Sequence, residues 1–182
     1  YDPRGIVGDD PNNSKERFYG NNDVAGPDAK HGSHVGGIIG AARTNNLGIQ
    51  GVADNVLIMG VRNTPNGDER DKDVANGIRY AVDNGAKVIN GSFGKSFSPH
   101  KQWVYDAIKY AEKKDVLIVH AAGNDGYDVD KTENINYPND SEDNIKEFAD
   151  NVITIGAINK VYGKNVVAGF SNFGKIKVDV FA

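Results

Sequence analysis

The sequence contains no cysteine among its 182 residues. The chain can therefore form neither a disulfide nor a thiolate metal site. No apolar run approaches the roughly 20 residues that a membrane-spanning helix needs. The net charge of −4 at pH 7 provides no basic surface for nucleic acid or for an anionic membrane. We therefore expect neither nucleic acid nor a membrane among its partners.

Segments that are typical of buried strands alternate along the chain with segments that are typical of helices. The pattern predicts strands at 56–61, 86–90, 116–122, 151–158 and 166–174, and helices at 33–42, 73–85 and 98–114. Ser98 and Pro99 are expected to begin the last helix, and Gly85 to end the second. The alternation predicts an α/β fold, a three-layer sandwich whose mostly parallel sheet carries helices on both faces. With no repeat and no linker, we expect a single domain over residues 1–182.

Two of the predicted strands are followed by short segments that combine small and polar residues. The later strand continues into Ala122, Gly123 and Asn124, and the earlier one into Ser92, Phe93 and Gly94. A carboxamide held beside a strand end can donate a hydrogen bond to an oxyanion. Glycines at a strand end allow an extended peptide to lie close to the backbone. Taken alone, each segment is more typical of an ordinary glycine-rich turn.

Two histidines, His31 and His34, stand at the head of the helix predicted at 33–42. A zinc site needs at least three protein ligands, and only His100 and His120 remain as further imidazoles. The pattern therefore predicts no metal site. A single histidine at a helix start can instead act as a general base near neutral pH. The alternative is that His31 is an ordinary polar residue at a helix start and that His34 is packed within the fold.

Six segments together resemble motifs of the subtilisin-like serine proteases, in that family's order. HGSHVGG at 31–37 resembles His-Gly-Thr-His-Val-Ala-Gly, and HAAGNDG at 120–126 resembles Ala-Ala-Ala-Gly-Asn-Glu-Gly. The others are GVADNVLIMGVR at 51–62, which resembles the family's Gly-Val-Ala-Pro segment before a core strand, VINGSFG at 88–94, VITIGAI at 152–158 and FSNFG at 170–174. Against the family's Ile-Asn-Met-Ser-Leu-Gly, glycine stands at position 91 and phenylalanine at 93. The resemblance implies a subtilisin-like fold, of which this chain is an incomplete part.

The resemblance also implies a role for each matching residue. His31 would be the general base, and Asn124 would donate its side-chain amide to the oxyanion. One wall of the primary specificity pocket would be formed by Ser92, Phe93 and Gly94, and the opposite wall by Ala122 and Gly123. The implied reaction is hydrolysis of a polypeptide substrate by an Asp-His-Ser triad. An extracellular or periplasmic location is implied by the family alone.

Two members of that triad have no counterpart here. The family's Asp-Ser/Thr-Gly motif belongs before the histidine, and its Gly-Thr-Ser-Met-Ala motif belongs after Phe-Ser-Asn-x-Gly. Neither motif occurs in residues 1–182, and the resemblance marks Ser171 as structural. We therefore expect an inactive part of a peptidase domain, with the catalytic aspartate upstream and the serine downstream. A truncated chain of this kind is also expected to associate with copies of itself.

The implied mechanism requires no cofactor, although the family resemblance suggests a structural calcium ion. That ion would lie in the loop at 42–51, with Asn45 or Asn46 among its oxygen ligands, unless this is simply a solvated loop. One rival function is a non-catalytic peptide-binding or scaffold domain that kept the fold and lost the triad. A nucleotide-binding enzyme would need a glycine-rich phosphate loop such as Gly-x-x-x-x-Gly-Lys-Ser/Thr, which the sequence does not contain.

Overall fold

The structure, a computed structural model, describes residues 4–64, 67–142 and 146–182 and divides into two compact units. The first unit, Tyr1–Arg62, contains the helices α1 (Arg4–Val7) and α2 (Lys30–Gly40). The second unit is Asn63–Ala182. Its elements are α3 (Asp71–Asp83), β1 (Val88–Gly91), α4 (Lys101–Lys113), β2 (Leu117–Ala121), a 3₁₀ turn (Thr132–Asn134), β3 (Val152–Gly156) and β4 (Val180–Phe181).

The four strands form one parallel sheet in the order β1-β2-β3-β4. Gly91 lies opposite His120, and His120 lies opposite Thr154, so that the carboxyl ends of β1, β2 and β3 reach the same edge. Strands β2 and β3 are mostly apolar, as expected for strands in a parallel sheet. The parallel α/β fold predicted from the sequence is confirmed.

The helices α3 and α4 pack together over one face of this sheet. Their shared core is built from Val74, Ile78, Val82, Val104, Ile108 and Ala111, with Ile89, Ile118 and Val152 from the strands. These positions recur at helical spacing, and each large apolar side chain that is fully buried contributes about 1.5–3 kcal/mol. On the opposite face Val119 and Ile153 are half-buried. No helix within the described ranges combines the length and apolar character that crossing a membrane requires.

Of two predicted helix boundaries in the second unit, one is confirmed and one changes for a tertiary reason. Helix α3 ends as predicted, with Gly85 at φ +91° just beyond it. Helix α4 begins at Lys101 rather than after Ser98, so the predicted cap is wrong. The Ser98 hydroxyl donates instead to Asp71 Oδ1 at 2.6 Å. A side chain committed to another helix cannot also cap its own.

The strand predicted at 166–174 is also wrong. Only isolated bridges, such as the one between Ile158 and Val167, occur there, because the chain turns at residues 169–170, where the Ser171 N–H donates to the Ala168 carbonyl at 2.9 Å. The fourth strand is instead Val180–Phe181, which the sequence pattern did not identify. Two residues are too few for a periodic signal.

In the first unit, helix α2 forms where it was expected, but none of its residues is buried. Its glycines allow close approach: a Cβ on Gly40 would lie 3.0 Å from Val56 Cγ2 and 3.2 Å from Ile58 Cδ1. The strand predicted at 56–61 is wrong, since the described part of this unit contains no strand to pair with it. Leu57 is accordingly 102% exposed. Self-association through such apolar residues stays a prediction.

A buried ion pair fixes the loop that follows β1. Lys95 Nζ lies 2.8 Å from Asp71 Oδ1 and donates to the Glu69 carbonyl at 2.7 Å. The other carboxylate oxygen of Asp71 accepts from the backbone N–H of His100 at 2.8 Å. Burial would raise the pKa of Asp71, but the hydrogen bonds from Lys95, Ser98 and His100 outweigh it and hold the pKa below its usual value.

The core also contains one buried histidine. His120 is 3% exposed, and its Nε2 lies 2.8 Å from the Phe93 carbonyl oxygen. Burial lowers the pKa of His120 to about 4, because removal from water penalises the imidazolium more than the carbonyl stabilises it. The ring is therefore neutral near pH 7.

We expect Lys95→Met to destabilise the fold. The Asp71 carboxylate would stay buried without its charge partner. The free energy of unfolding should fall by about 3 kcal/mol, whereas Lys87→Met, at an exposed position, should change it by less than about 0.5 kcal/mol. Urea unfolding of both variants tests this, and equal effects would contradict it.

The low pKa of His120 should make stability depend on pH. In the unfolded chain the imidazole takes up its proton near pH 6.5, but in the folded protein only near pH 4. The unfolded state thus binds more protons between these values, so stability decreases as the pH falls through them, by up to about 3 kcal/mol from this group. His120→Gln does not titrate and should remove this part of the slope in urea unfolding. The same slope in both proteins would contradict the assignment.

Candidate active site

The carboxyl ends of β1 and β2 bring two predicted site segments to one edge of the sheet. Because Gly91 pairs with His120, the residues that follow them leave neighbouring strands side by side. The first segment is Ser92, Phe93 and Gly94, and the second is Ala122, Gly123 and Asn124. Parallel α/β proteins bind ligands at this end of their strands. The individual roles of these residues stay predictions.

The side chain of Asn136 lies between the two segments. Its Nδ2 donates to the carbonyls of Ala121 at 3.3 Å and Ala122 at 3.1 Å. A Cβ on Gly94 would lie 2.6 Å from Asn136 Oδ1, and one on Gly123 would lie 3.5 Å from Asn136 Nδ2. The amide of Asn136 therefore fills part of the space between the two segments. The sequence offered no signal for it, since it stands in a long polar loop.

Backbone pairing holds Asn136 in this position. The N–H of Lys95 donates to the Tyr137 carbonyl at 3.1 Å, and the N–H of Tyr137 donates to the Lys95 carbonyl at 2.8 Å. The residue after Gly94 is thus paired with the residue after Asn136. The ion pair between Lys95 and Asp71 anchors this pairing to helix α3.

A second asparagine, Asn172, fixes the turn that follows β2. Its Oδ1 accepts from the backbone N–H groups of Asp125 and Tyr127, each at 3.0 Å. Its Nδ2 donates to the Ala122 carbonyl at 2.9 Å, and its own N–H donates to the Gly123 carbonyl at 2.9 Å. Asn172 is 2% exposed, so that these four bonds are shielded from water. The FSNFG segment is recognisable as a motif, but nothing in the sequence indicates this role.

The turn held by Asn172 presents Asn124 to solvent. Gly123 has φ +104°, and a Cβ there would lie 2.4 Å from Asn172 Nδ2, so only glycine fits. Asn124 is exposed, and its carboxamide makes no hydrogen bond to any residue that the structure describes. A donor on a rigid backbone with no internal partner is suited to a ligand that develops negative charge.

The segment formed by Ser92, Phe93 and Gly94 offers mainly backbone atoms to the candidate site. Phe93 packs against the core beneath helices α3 and α4, with its ring edge-on to His120 at 6.1 Å between centroids. The Ser92 hydroxyl accepts from Asn90 Nδ2 at 2.8 Å. The side chains at 92 and 93 are therefore engaged within the protein.

His31 lies in the first turn of helix α2 and is exposed, as is His34. A general base must be accessible to its substrate, and this placement satisfies that requirement. His31 belongs to the first unit and Asn124 to the second. The approach of the imidazole to the carboxamide therefore stays a prediction.

The hydroxyl of Ser171 is engaged in the protein interior. It accepts from the Ala157 N–H at 2.8 Å and donates to the Asn172 carbonyl at 2.9 Å. The residue is 2% exposed. A hydroxyl used in this way is structural and is unsuited to act as a nucleophile.

The described ranges contain no cluster of three or more His, Asp or Glu residues that could hold a metal ion. In the loop at 42–51, Asn45 Oδ1 accepts from the Leu47 N–H at 3.1 Å. The guanidinium of Arg43 donates to the carbonyls of Gly51 and Val52. The other carbonyl and carboxamide oxygens of this loop are of the type that calcium prefers. Calcium binding stays a prediction.

Comparison with known proteins gives the same family along most of the chain. The sequence profile of the subtilase family matches residues 7–182. A thermophilic serine proteinase of Bacillus sp. (strain AK1) is 39% identical over 153 residues, which are 84% of this chain and 33% of that protein. A cell wall-associated protease of Bacillus subtilis (strain 168) is 37% identical over 159 residues, 87% of this chain and 16% of that protein.

A solved structure is similar over a large part of the fold. The epidermin leader peptide processing serine protease (EpiP) of Staphylococcus aureus superposes with a TM-score of 0.60 and 28% identity, over 74% of this chain and 35% of that one. This chain thus spans half or less of the length of each of these three proteins. Because the family profile matches nearly the whole sequence, the chain belongs to the subtilase family of serine proteases.

Proposed function

We propose that these residues are part of a serine endopeptidase that cleaves polypeptides through an Asp-His-Ser triad. Within the chain, His31 is the general base and Asn124 is the oxyanion donor. The observation that carries the proposal is the Asn124 carboxamide, exposed and without an internal partner among the described residues, on a turn that Asn172 fixes from within. Membership of the subtilase family supports it.

The proposed reaction is acyl transfer to a serine. The serine oxygen attacks the peptide carbonyl while His31 takes its proton, and an aspartate keeps the imidazole in the correct tautomer. The Asn124 amide and a backbone N–H stabilise the negative charge on the tetrahedral intermediate. His31 then gives the proton to the leaving amine, and water releases the acyl group. The aspartate and the serine would come from segments outside residues 1–182.

The substrate would lie extended along the backbone of 92–94. Its side chain would enter between this segment and the one formed by Ala122 and Gly123. The amide of Asn136, which lies between the two, would set the depth of that space. This arrangement favours backbone recognition, since Ser92 and Phe93 use their side chains internally.

The location and ion requirement of the protein follow as further proposals. The name of the Bacillus subtilis relative associates that protein with the cell wall, and we propose an extracellular or periplasmic location here. Another relative is named as an intracellular protease, so fractionation of the source cells decides between the two. Hydrolysis needs no cofactor in this mechanism, and calcium would act only as a structural ion in the 42–51 loop.

We expect Asn124→Ala in the full-length protein to lower kcat by about 10²–10³-fold, the loss measured for removal of this donor in subtilisin itself. KM for a peptide substrate should change little, because the donor acts on charge that develops in the transition state. Asn165→Ala, at an exposed asparagine, is the matched control. Steady-state kinetics of the three proteins tests this, and unchanged kcat in Asn124→Ala would refute the oxyanion role.

We expect residues 1–182 alone to react with no fluorophosphonate probe, whereas the full-length protein should be labelled at one serine. The reason is that Ser171 has its hydroxyl engaged and buried. Mass spectrometry of both proteins locates the label. Labelling of a serine within 1–182 would contradict the expectation that this fragment is inactive. An unlabelled full-length protein that still binds peptide would favour the non-catalytic peptide-binding domain.

A further inference from the structure

We propose that His120 is a positioning residue for peptide binding, because its imidazole holds the Phe93 carbonyl and so fixes the path of 92–94. The inference rests on the proposed function, since this segment is the edge along which the substrate would lie. It concerns a side chain buried behind that edge, which would not touch the substrate. The inference rests on two contacts of His120 and on the geometry of the peptide unit between Phe93 and Gly94.

The first contact is a hydrogen bond whose direction is defined by chemistry. His120 Nε2 lies 2.8 Å from the Phe93 carbonyl oxygen. A carbonyl oxygen only accepts, so that Nε2 must carry the proton. Because the histidine is 3% exposed, the bond is protected from competition by water. The same ring also contacts the Phe93 side chain edge-on, with 70° between the ring planes.

The second contact lies across the strand pair. Gly91 is the register partner of His120, and a Cβ at that position would lie 3.3 Å from His120 Cδ2 and 3.7 Å from the Phe93 ring. The imidazole therefore fills space that a larger side chain at 91 would need. Glycine at 91 departs from the resembled motif, as does histidine at 120, where HAAGNDG differs from Ala-Ala-Ala-Gly-Asn-Glu-Gly, and these two departures fit each other in one place.

The third step concerns the peptide unit between Phe93 and Gly94. In a planar trans peptide the carbonyl and the following N–H point in opposite directions. By holding the Phe93 carbonyl toward the core, His120 directs the Gly94 N–H away from it. Gly94 is exposed, and its N–H has no backbone partner among the residues that the structure describes. His120 therefore presents a backbone donor at the peptide-binding edge.

The test compares His120→Gln with His120→Asn in the full-length protein. The glutamine amide nitrogen can reach the place of Nε2, whereas the shorter asparagine amide cannot. For a peptide long enough to reach position 94, we expect KM to rise about 10-fold in His120→Asn and less than about 3-fold in His120→Gln. In both, kcat should stay within about 2-fold, because the bond to the peptide backbone is made equally before and in the transition state.

Two controls separate positioning from general damage. A short ester substrate that does not reach position 94 should be hydrolysed by all variants with unchanged KM. His100→Ala, which removes an exposed ring and keeps the backbone N–H that binds Asp71, should match the wild type on both substrates. Equal KM increases on the ester and the long peptide would overturn the proposal, as would an unchanged KM for the long peptide in His120→Asn.

Two further measurements need no catalysis. Nitrogen-15 NMR should show the wild-type His120 ring protonated at Nε2 near pH 7, and protonation at Nδ1 would overturn the proposal. If the wild type cleaves no peptide, the endopeptidase proposal fails, but the dissociation constant of the same long peptide still tests His120. It should rise about 10-fold in His120→Asn and be restored by His120→Gln. Equal affinities in all three proteins would overturn the inference independently of the reaction.

Discussion

The parallel register of β1 and β2 is the constraint on which the candidate site depends. Gly91 faces His120, and β1 ends at Gly91 while β2 ends one residue beyond His120, so the two strands end at nearly the same level. A shift by one residue would exchange the two faces of a strand and move Ile118 out of the core. The register is therefore set by burial on the helical side. Its consequence appears at the strand ends, where the two wall segments become neighbours.

Beyond the strand ends, side-chain amides take over from the sheet. The carbonyls of residues 121, 122 and 123 have left the regular ladder, and buried carbonyls need donors. Asn136 supplies them to the first two, while Asn172 supplies the second through its side chain and the third through its backbone. The turn becomes rigid because these needs are met by the buried Asn172 and the half-buried Asn136. Rigidity of this kind is what an oxyanion donor requires, since reorganisation during the reaction would weaken it.

The sequence predicted those parts of the fold that depend on local pattern. Strands β1–β3 and helices α2–α4 were identified because apolar spacing and breakers such as Gly85 act within a few residues. The cap of α4 was predicted wrongly because Ser98 bonds to Asp71, 27 positions away. The segment 56–61 has the composition of a strand, but a strand also needs a neighbour, which composition does not reveal.

In the candidate site, too, some residues are predictable from local sequence and others are defined only by tertiary contacts. The motifs predicted which residues would meet the substrate, and these roles stay predictions because they are inferred from the family resemblance alone. Asn136 was not identified, since an asparagine in a polar loop carries no local signal of the carbonyls that it will bind. Asn172 stood in a recognised motif, but its contacts with Asp125 and Tyr127 span more than 40 positions. Supporting residues of this kind are defined by tertiary contacts alone.

The pairing of Gly91 with His120 shows how departures from a motif should be interpreted. Considered singly, the glycine at the end of β1 suggests that the specificity pocket is deformed. A buried histidine suggests a polar group without a hydrogen-bond partner. Together they fill one volume, and the histidine finds an acceptor in the Phe93 carbonyl. Because packing and hydrogen bonding are both satisfied, these two differences give no support to a degenerate, non-catalytic domain. They show two residues on neighbouring strands that together hold the backbone at Phe93 in place.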